Sequence, residues 1–154
     1  PDSGFMIVRE STHRFSLLSQ HRATIGIRIP MLVSAIGRAW LTWCAEDERE
    51  ATLALLRERQ DGIGDLARDR TYVKGILRET RKRGYAMNKG EWSAEASVTA
   101  IAFPIRVGEH AIGGVNLVFQ NNQISDREIA VRYVPLLREL ADEISRNAAA
   151  MRRE

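Results

Sequence analysis

The chain is poor in several of the features by which a sequence declares its chemistry. Its 154 residues include a single cysteine, Cys44, which excludes an internal disulfide and zinc or iron–sulfur sites of the familiar spacings, and fits a cytoplasmic location. No apolar run approaches the roughly 20 residues a membrane-spanning helix needs. No basic region leads into an apolar stretch at the start, so no signal peptide is expected, and an opening Pro1 in place of Met reads as part of a longer chain. Gly-x-Ser-x-Gly is missing, and Gly62-Ile63-Gly64 lacks both the third glycine and the lysine of a phosphate-binding loop. The histidines His13, His21 and His110 lie far apart, none with a His, Cys or carboxylate at a metal-binding interval on its own element, so neither a metal nor another cofactor is expected. There are no internal repeats and no low-complexity tracts.

What is present describes one soluble globular domain, with 44% hydrophobic and 28% charged residues. The net charge of +3 arises from 23 basic residues interleaved with 20 acidic ones, a pattern unlike a nucleic-acid-binding surface. The one basic concentration runs from Arg68 to Lys89, with Arg78, Arg81, Lys82 and Arg83 bunched where a helix should end; cations there complement the negative end of the helix dipole.

Along the chain, Phe5–Arg9 and Phe15–Ser19 suit a β-hairpin, and Thr24–Ile29 alternates Ile25, Ile27 and Ile29 with Thr24, Gly26 and Arg28 as a half-buried strand would, ended by Pro30. Met31–Ala45 is apolar at helical spacing through Leu32, Ala35, Ile36, Ala39, Trp40 and Trp43. A second helix is expected over about residues 47–60, with Ala51, Leu55 and Leu56 as its apolar face. A third is expected over about residues 70–83, with Val73, Ile76, Leu77 and Thr80 inward and Gly84 closing it. A strand starts over Tyr85–Asn88. Val98–Val107 and Ala111–Phe119 predict an antiparallel hairpin around Gly108-Glu109-His110. Ser125-Asp126-Arg127-Glu128 is a capping box opening a long last helix with Ile129, Tyr133, Leu137, Leu140 and Ile144 at the helical period and a kink at Pro135. The order implies an α+β domain, an antiparallel central sheet with helices packed on its faces.

Catalytic residues do not assemble from this pattern. Glu91 and Glu95 stand four apart in a polar loop with no apolar pocket to separate their pKa values, and a solvated loop is the better reading. An enzyme would need a pocket acid or base, for which Glu91 with His110 is the one pair available. Trp40 and Trp43 read as core, whereas Trp92, in a charged loop, is a candidate contact for a ligand or partner. Thr99 and Asn116 place polar side chains inside apolar strands, where each must be hydrogen-bonded by protein, water or ligand or cost about 1–3 kcal/mol.

Several segments taken together resemble a known family. Pro30-Met31-Leu32-Val33-Ser34-Ala35-Ile36-Gly37-Arg38-Ala39 is similar to the segment by which IclR-type bacterial transcriptional regulators leave a strand and enter the first helix of their effector domain. Gly84-Tyr85-Ala86, Glu91 and Ile101-Ala102-Phe103-Pro104-Ile105 resemble the family's signature region, and Gly114–Phe119 its last core strand. The resemblance implies a GAF-like domain that binds a small carboxylate effector and catalyses nothing. It also implies that DNA is bound through an N-terminal winged helix-turn-helix absent from this sequence, and that the protein assembles as a homodimer or homotetramer. By position it places the pocket on Ile29, Ala35, Ile36, Thr99, Asn116 and Val118, with helix-start N–H groups near Ala35 and Ile36 attracting the carboxylate. Relatives often have Gly where this chain has Ala96 and serines where it has Asn116 and Val118, so its pocket chemistry is its own; Glu91-Trp92-Ser93 and the run Gly114–Phe119 look most like the subgroup that controls catabolism of hydroxyphenylpropionate-type aromatic acids. An apolar pocket built by Ile29, Ile36 and Val118 suits such a ligand. A ligand-free interaction module is the alternative.

Overall fold

The computed structural model describes residues 1–12, 25–121 and 124–151. Two antiparallel sheets are found among them. Strand β1 (Phe5–Ile7) pairs with β2 (Arg28–Pro30), and β3 (Ala86–Lys89), β4 (Val98–Val107) and β5 (His110–Gln120) form a meander in the order β3-β4-β5. The proposed hairpin partner of the first strand, Phe15–Ser19, lies outside the described residues; among the described residues β1 pairs with the later segment. That segment is shorter than the expected Thr24–Ile29: Gly26 adopts φ 87° in a turn, and Ile25 and Ile27 are exposed instead of forming a buried face.

Between the sheets run four helices, α1 (Ala35–Trp43), α2 (Glu46–Arg57), α3 (Gly62–Arg68) and α4 (Arg70–Arg83). Helix α1 begins at Ala35 rather than Met31 because the Ser34 hydroxyl accepts the Gly37 N–H, as an N-cap should, and donates to the Pro30 carbonyl at 2.6 Å. Met31, Leu32 and Val33 form a buried turn ahead of it. The short α3 was not expected; Asp61 caps it by accepting from Ile63 and Gly64 N–H, and Asp69 caps α4 in the same manner. In α2 the buried residues are Leu53 and Leu56, not Ala51 and Leu55. Gly84 closes α4 in the left-handed conformation at φ 80°, as its position predicts.

The central meander is covered on both faces. Paired residues share a face, so the register Ala86↔Ala102↔Asn116 and Asn88↔Ala100↔Val118 defines one side and Ile101↔Leu117 with Phe103↔Val115 the other. On the first side α1 lies on small residues, with Ala35 and Ala39 against Ala86, Ala100 and Ala102. On the second, Ile101 and Phe103 pack against Ile129, Val134, Leu137 and Ala141 of the C-terminal helix. A third cluster joins α1 to the other helices through Leu32, Trp40, Leu41, Leu53, Leu56, Ala67 and Val73. A bulge after Ile105 frees the Arg106 N–H, which donates to Ser145 of the last helix at 3.0 Å.

That helix begins with a short α5 (Asp126–Glu128), capped by Ser125, passes through a π turn over Ile129–Tyr133 and continues as α6 (Val134–Met151). The π turn is how the chain accommodates Pro135. The Val134 N–H reaches back to the Ile129 carbonyl, and the widened turn makes room where a proline ring would strike the preceding carbonyl. Leu140, expected on the inward face, is exposed, and Ala141 is buried in its stead because the π turn rotates the following residues.

Two glycines test this packing. A Cβ on Gly37 would collide with the Met31 backbone, whereas one on Gly75 meets open space. Gly37→Ala should therefore destabilise the fold by about 1–3 kcal/mol or more, and Gly75→Ala should be neutral or stabilising by up to about 1 kcal/mol. The difference is measured as opposite shifts in urea midpoint at constant slope.

Candidate functional site

The face of the meander that meets α1 gathers most of the residues singled out by sequence. Ala35 is buried in the first turn of α1, and Ile36 packs on β5 so closely that a Cβ on Gly114 would lie 3.0 Å from its Cγ1. Ile29, at the end of β2, belongs to the same apolar cluster as Ile36. Asn116 and Val118 project from this face of β5, Asn116 half-buried and Val118 41% exposed. Ser34 occupies the Gly37 N–H with its hydroxyl and the Arg38 N–H with its carbonyl. The amides of Ala35 and Ile36 thus have no partner among the described residues, at the positive end of a nine-residue helix.

Thr99 does not join them. It pairs with Phe119, so its side chain lies on the α6 face, opposite that of Asn116. Its hydroxyl donates to Asn121 Oδ1 at 2.8 Å, and Asn121 Nδ2 donates to the Ala96 carbonyl, so Thr99 is satisfied within the chain. Strand alternation separates residues that differ by an odd count from the register partner, and linear spacing between two strands cannot reveal this.

Residues passed over in the sequence complete the α1 face. Asn88 is buried beside Ala100, its Nδ2 donating to the Val33 carbonyl at 3.0 Å. Beneath lies Arg38, whose side chain is only 7% exposed. Its Nε donates to Leu32 O at 2.9 Å, Nη1 to Met87 O at 2.8 Å and to Glu91 Oε1 at 3.0 Å, and Nη2 to Tyr72 Oη at 3.2 Å. A charged residue within an otherwise apolar helix face was the available signal. Glu91, though exposed in its loop, is not a free acid: it pairs with Arg38 and accepts the Lys89 backbone N–H.

Burial opposes ionisation of Glu91, but the charge of Arg38 and the hydrogen bonds from Lys89 N–H and Arg38 outweigh it, and the carboxyl is held below its ordinary value of 4.5. His110 is far from it. Glu91 follows β3 near Thr99, whereas His110 pairs with Val107 eight residues along β4, roughly 26 Å away at about 3.3 Å per residue. The acid–base pair considered from sequence does not form. Trp40 is buried and Trp43 packs against the core, while Trp92 is half-buried at the start of a short 3-10 turn, Ser93–Glu95. Burial pushes the Cys44 thiol up to about 11, leaving little nucleophilic thiolate at neutral pH. Among the described residues no three His, Cys, Asp or Glu side chains converge as metal ligands, and no helix is long and apolar enough to cross a membrane.

The fold is thus an α+β domain whose first helix has unpaired amides beside a part-open strand face. The family comparison assigns it. Residues 5–146 match the family described as bacterial transcriptional regulator IclR C-terminal, and the chain belongs to that family, whose domains serve regulators and are not enzymes. It is 30% identical over 107 residues to the HTH-type transcriptional regulator XynR of Escherichia coli K12, an alignment covering 69% of this chain and 41% of XynR. The chain thus corresponds to less than half of that relative. Among solved structures it resembles the Rhodococcus sp. RHA1 transcriptional regulator RHA06195, with TM-score 0.71, 23% identity, and coverage of 97% of this chain and 60% of the other. It also resembles the inducer binding domain of the Acinetobacter transcription factor PobR, solved as a double mutant with 3-hydroxy benzoic acid, with TM-score 0.63, 21% identity, and coverage of 92% and 86%.

The Arg38–Glu91 pair gives a pH test. Because the Glu91 carboxyl is lowered in the folded state, its contribution is fully present above pH 4.5 and is lost as pH falls through the folded value. Glu91→Gln should lower the urea midpoint at neutral pH and narrow the gap to wild type as the pH drops toward about 3. An equal gap at both pH values would show that the charge of Glu91 contributes nothing.

Proposed function

We infer that this domain senses a small aromatic carboxylic acid and passes its occupancy to a DNA-binding domain of the winged helix-turn-helix type preceding Pro1 in the whole regulator. The observation behind this reading is the juxtaposition of the unpaired Ala35 and Ile36 amides with Asn116 and Val118 on the open part of the meander. The amides and the dipole of α1 suit a carboxylate, the Asn116 side chain suits a hydroxyl or a second carboxylate oxygen, and Ile29, Ile36 and Val118 suit a ring. Thr99 has no part in this version of the site, since its hydroxyl is engaged on the other face.

An aromatic acid is favoured over a very polar one because the apolar groups outnumber the polar anchors. The 3-hydroxy benzoic acid bound by the structurally similar PobR domain is of the same chemical class, as are the hydroxyphenylpropionate-type acids suggested by Glu91-Trp92-Ser93 and the β5 sequence. The whole regulator then acts in the cytoplasm as a homodimer or homotetramer, with an effector that shifts the balance between two arrangements of its subunits by binding one of them better.

Thermal unfolding with 3-hydroxybenzoate and with 3-(3-hydroxyphenyl)propionate tests the reading. An acid supplied at about 100 times its dissociation constant should stabilise the fold by about 2.7 kcal/mol, and Asn116→Leu should remove most of the shift. Absence of any shift with both acids would favour a ligand-free interaction module.

A further inference from the structure

A second concavity, a cleft of about 370 Å³, opens between α4 and the outer edge of β3; roughly 300–1,000 Å³ is usual for small-ligand sites. Its floor is the guanidinium of Arg38. Of the five N–H donors of that group, the bonds to Leu32, Met87, Glu91 and Tyr72 leave one on Nη2. On the α4 wall stands Thr80, 2% exposed, whose hydroxyl has no hydrogen-bond partner among the described residues. Thr42 of α1, by contrast, is bonded to its own preceding turn, at Arg38 O. Asn88 spends its Nδ2 on Val33 and has no donor to its Oδ1 among the described residues. A spare N–H of Arg38, the Thr80 hydroxyl and the Asn88 Oδ1 therefore belong to residues lining one cleft. Since no buried side-chain polar atom among the described residues lacks a partner, those without one in the chain are open to solvent from the cleft, where a ligand can take the place of water.

The charges lining it are unequal. Glu91 is held by Arg38 and by the Lys89 N–H, Glu79 lies 3.5 Å from Arg78, and Lys89 pairs with Asp126. Arg83 faces no carboxylate among the described residues; its guanidinium rests 5.7 Å from the centre of the Tyr85 ring. Ile76 and Met87 supply an apolar wall.

We propose that this cleft is a second ligand site, separate from the α1–β5 face, that takes a small hydroxy acid. The carboxylate meets Arg83 and the spare Arg38 N–H, and the hydroxyl bridges Thr80 and Asn88. A bidentate or charge-assisted contact to arginine supplies the affinity, and the buried hydroxyl pair supplies the preference for a hydroxy acid over its deoxy analogue. The cleft shares Arg38 and Asn88 with the α1 side of the meander but is walled by α4, and its occupancy is read at residues 75–80, which the effector reading does not involve.

The test is a titration of the 15N-labelled chain with mandelate and, separately, with phenylacetate, which lacks the hydroxyl, followed by NMR. Mandelate should produce saturable shifts at residues 75–80 and 87–89, phenylacetate should bind at least about five-fold more weakly, and Thr80→Val and Arg83→Ala should each weaken mandelate by a similar factor. Thr80→Val preserves shape and burial, and Arg83 is exposed, so both variants should fold. Shifts confined to the start of α1 and to β5, no saturable shift at residues 75–80, or mandelate binding indifferent to both variants would overturn the proposal. Equal affinity for phenylacetate would overturn the assignment of a hydroxy acid.

Discussion

The arrangement of this domain turns on one buried cation. Arg38 reaches from α1 to the carbonyl of Leu32 in the turn before the helix, to the carbonyl of Met87 on β3, to Glu91 in the loop that follows and to the hydroxyl of Tyr72 on α4. Taking a guanidinium out of water is costly, and the attraction to one half-exposed carboxylate need not make such a pair stabilising overall. Its consequence is geometric. The carbonyls of Leu32 and Met87 are held at fixed positions, the former also by the Tyr72 hydroxyl, and α1, α4 and the β3 region are brought together around a planar fork of donors.

With those segments fixed, the residues on each face of the meander decide what each face can do. Toward α6 the strands present Ile101, Phe103, Leu117 and Phe119, which fill the space beneath the helix and leave it structural. Toward α1 they present Ala86, Ala100, Ala102 and Gly114, so the helix comes close and its first turn lies beside β5. Small side chains on one face and large ones on the other make the α1 side the one where unpaired amides and a polar strand residue can meet a ligand.

Much of the fold was legible along the chain because its signals are local. Gly84 behind α4 and Ser125 ahead of the last helix each satisfy backbone groups within four residues, so their patterns survive without tertiary context. The β4–β5 hairpin was legible for the same reason, with Gly108 at φ 63° in the turn. Less legible were α3, too short for periodicity to register, and the pairing of β1 with β2 far along the chain. The site followed the same division. The helix start at Ala35 and Ile36 was legible because caps are local, whereas the grouping of Thr99 with Asn116 failed, because the face on which a strand residue lies depends on a register set by distant pairing.

The sequence by itself determined the class of the domain, most helix limits, the central hairpin and the family, since caps, glycines, periodicity and short motifs act over a few residues. Only the tertiary structure decided which polar residues share a face, that Glu91 is the partner of Arg38, and that Thr80 lines a cleft with Arg38. Those relations join segments roughly 40 to 55 residues apart. They follow from how the chain closes on itself, which no local pattern encodes.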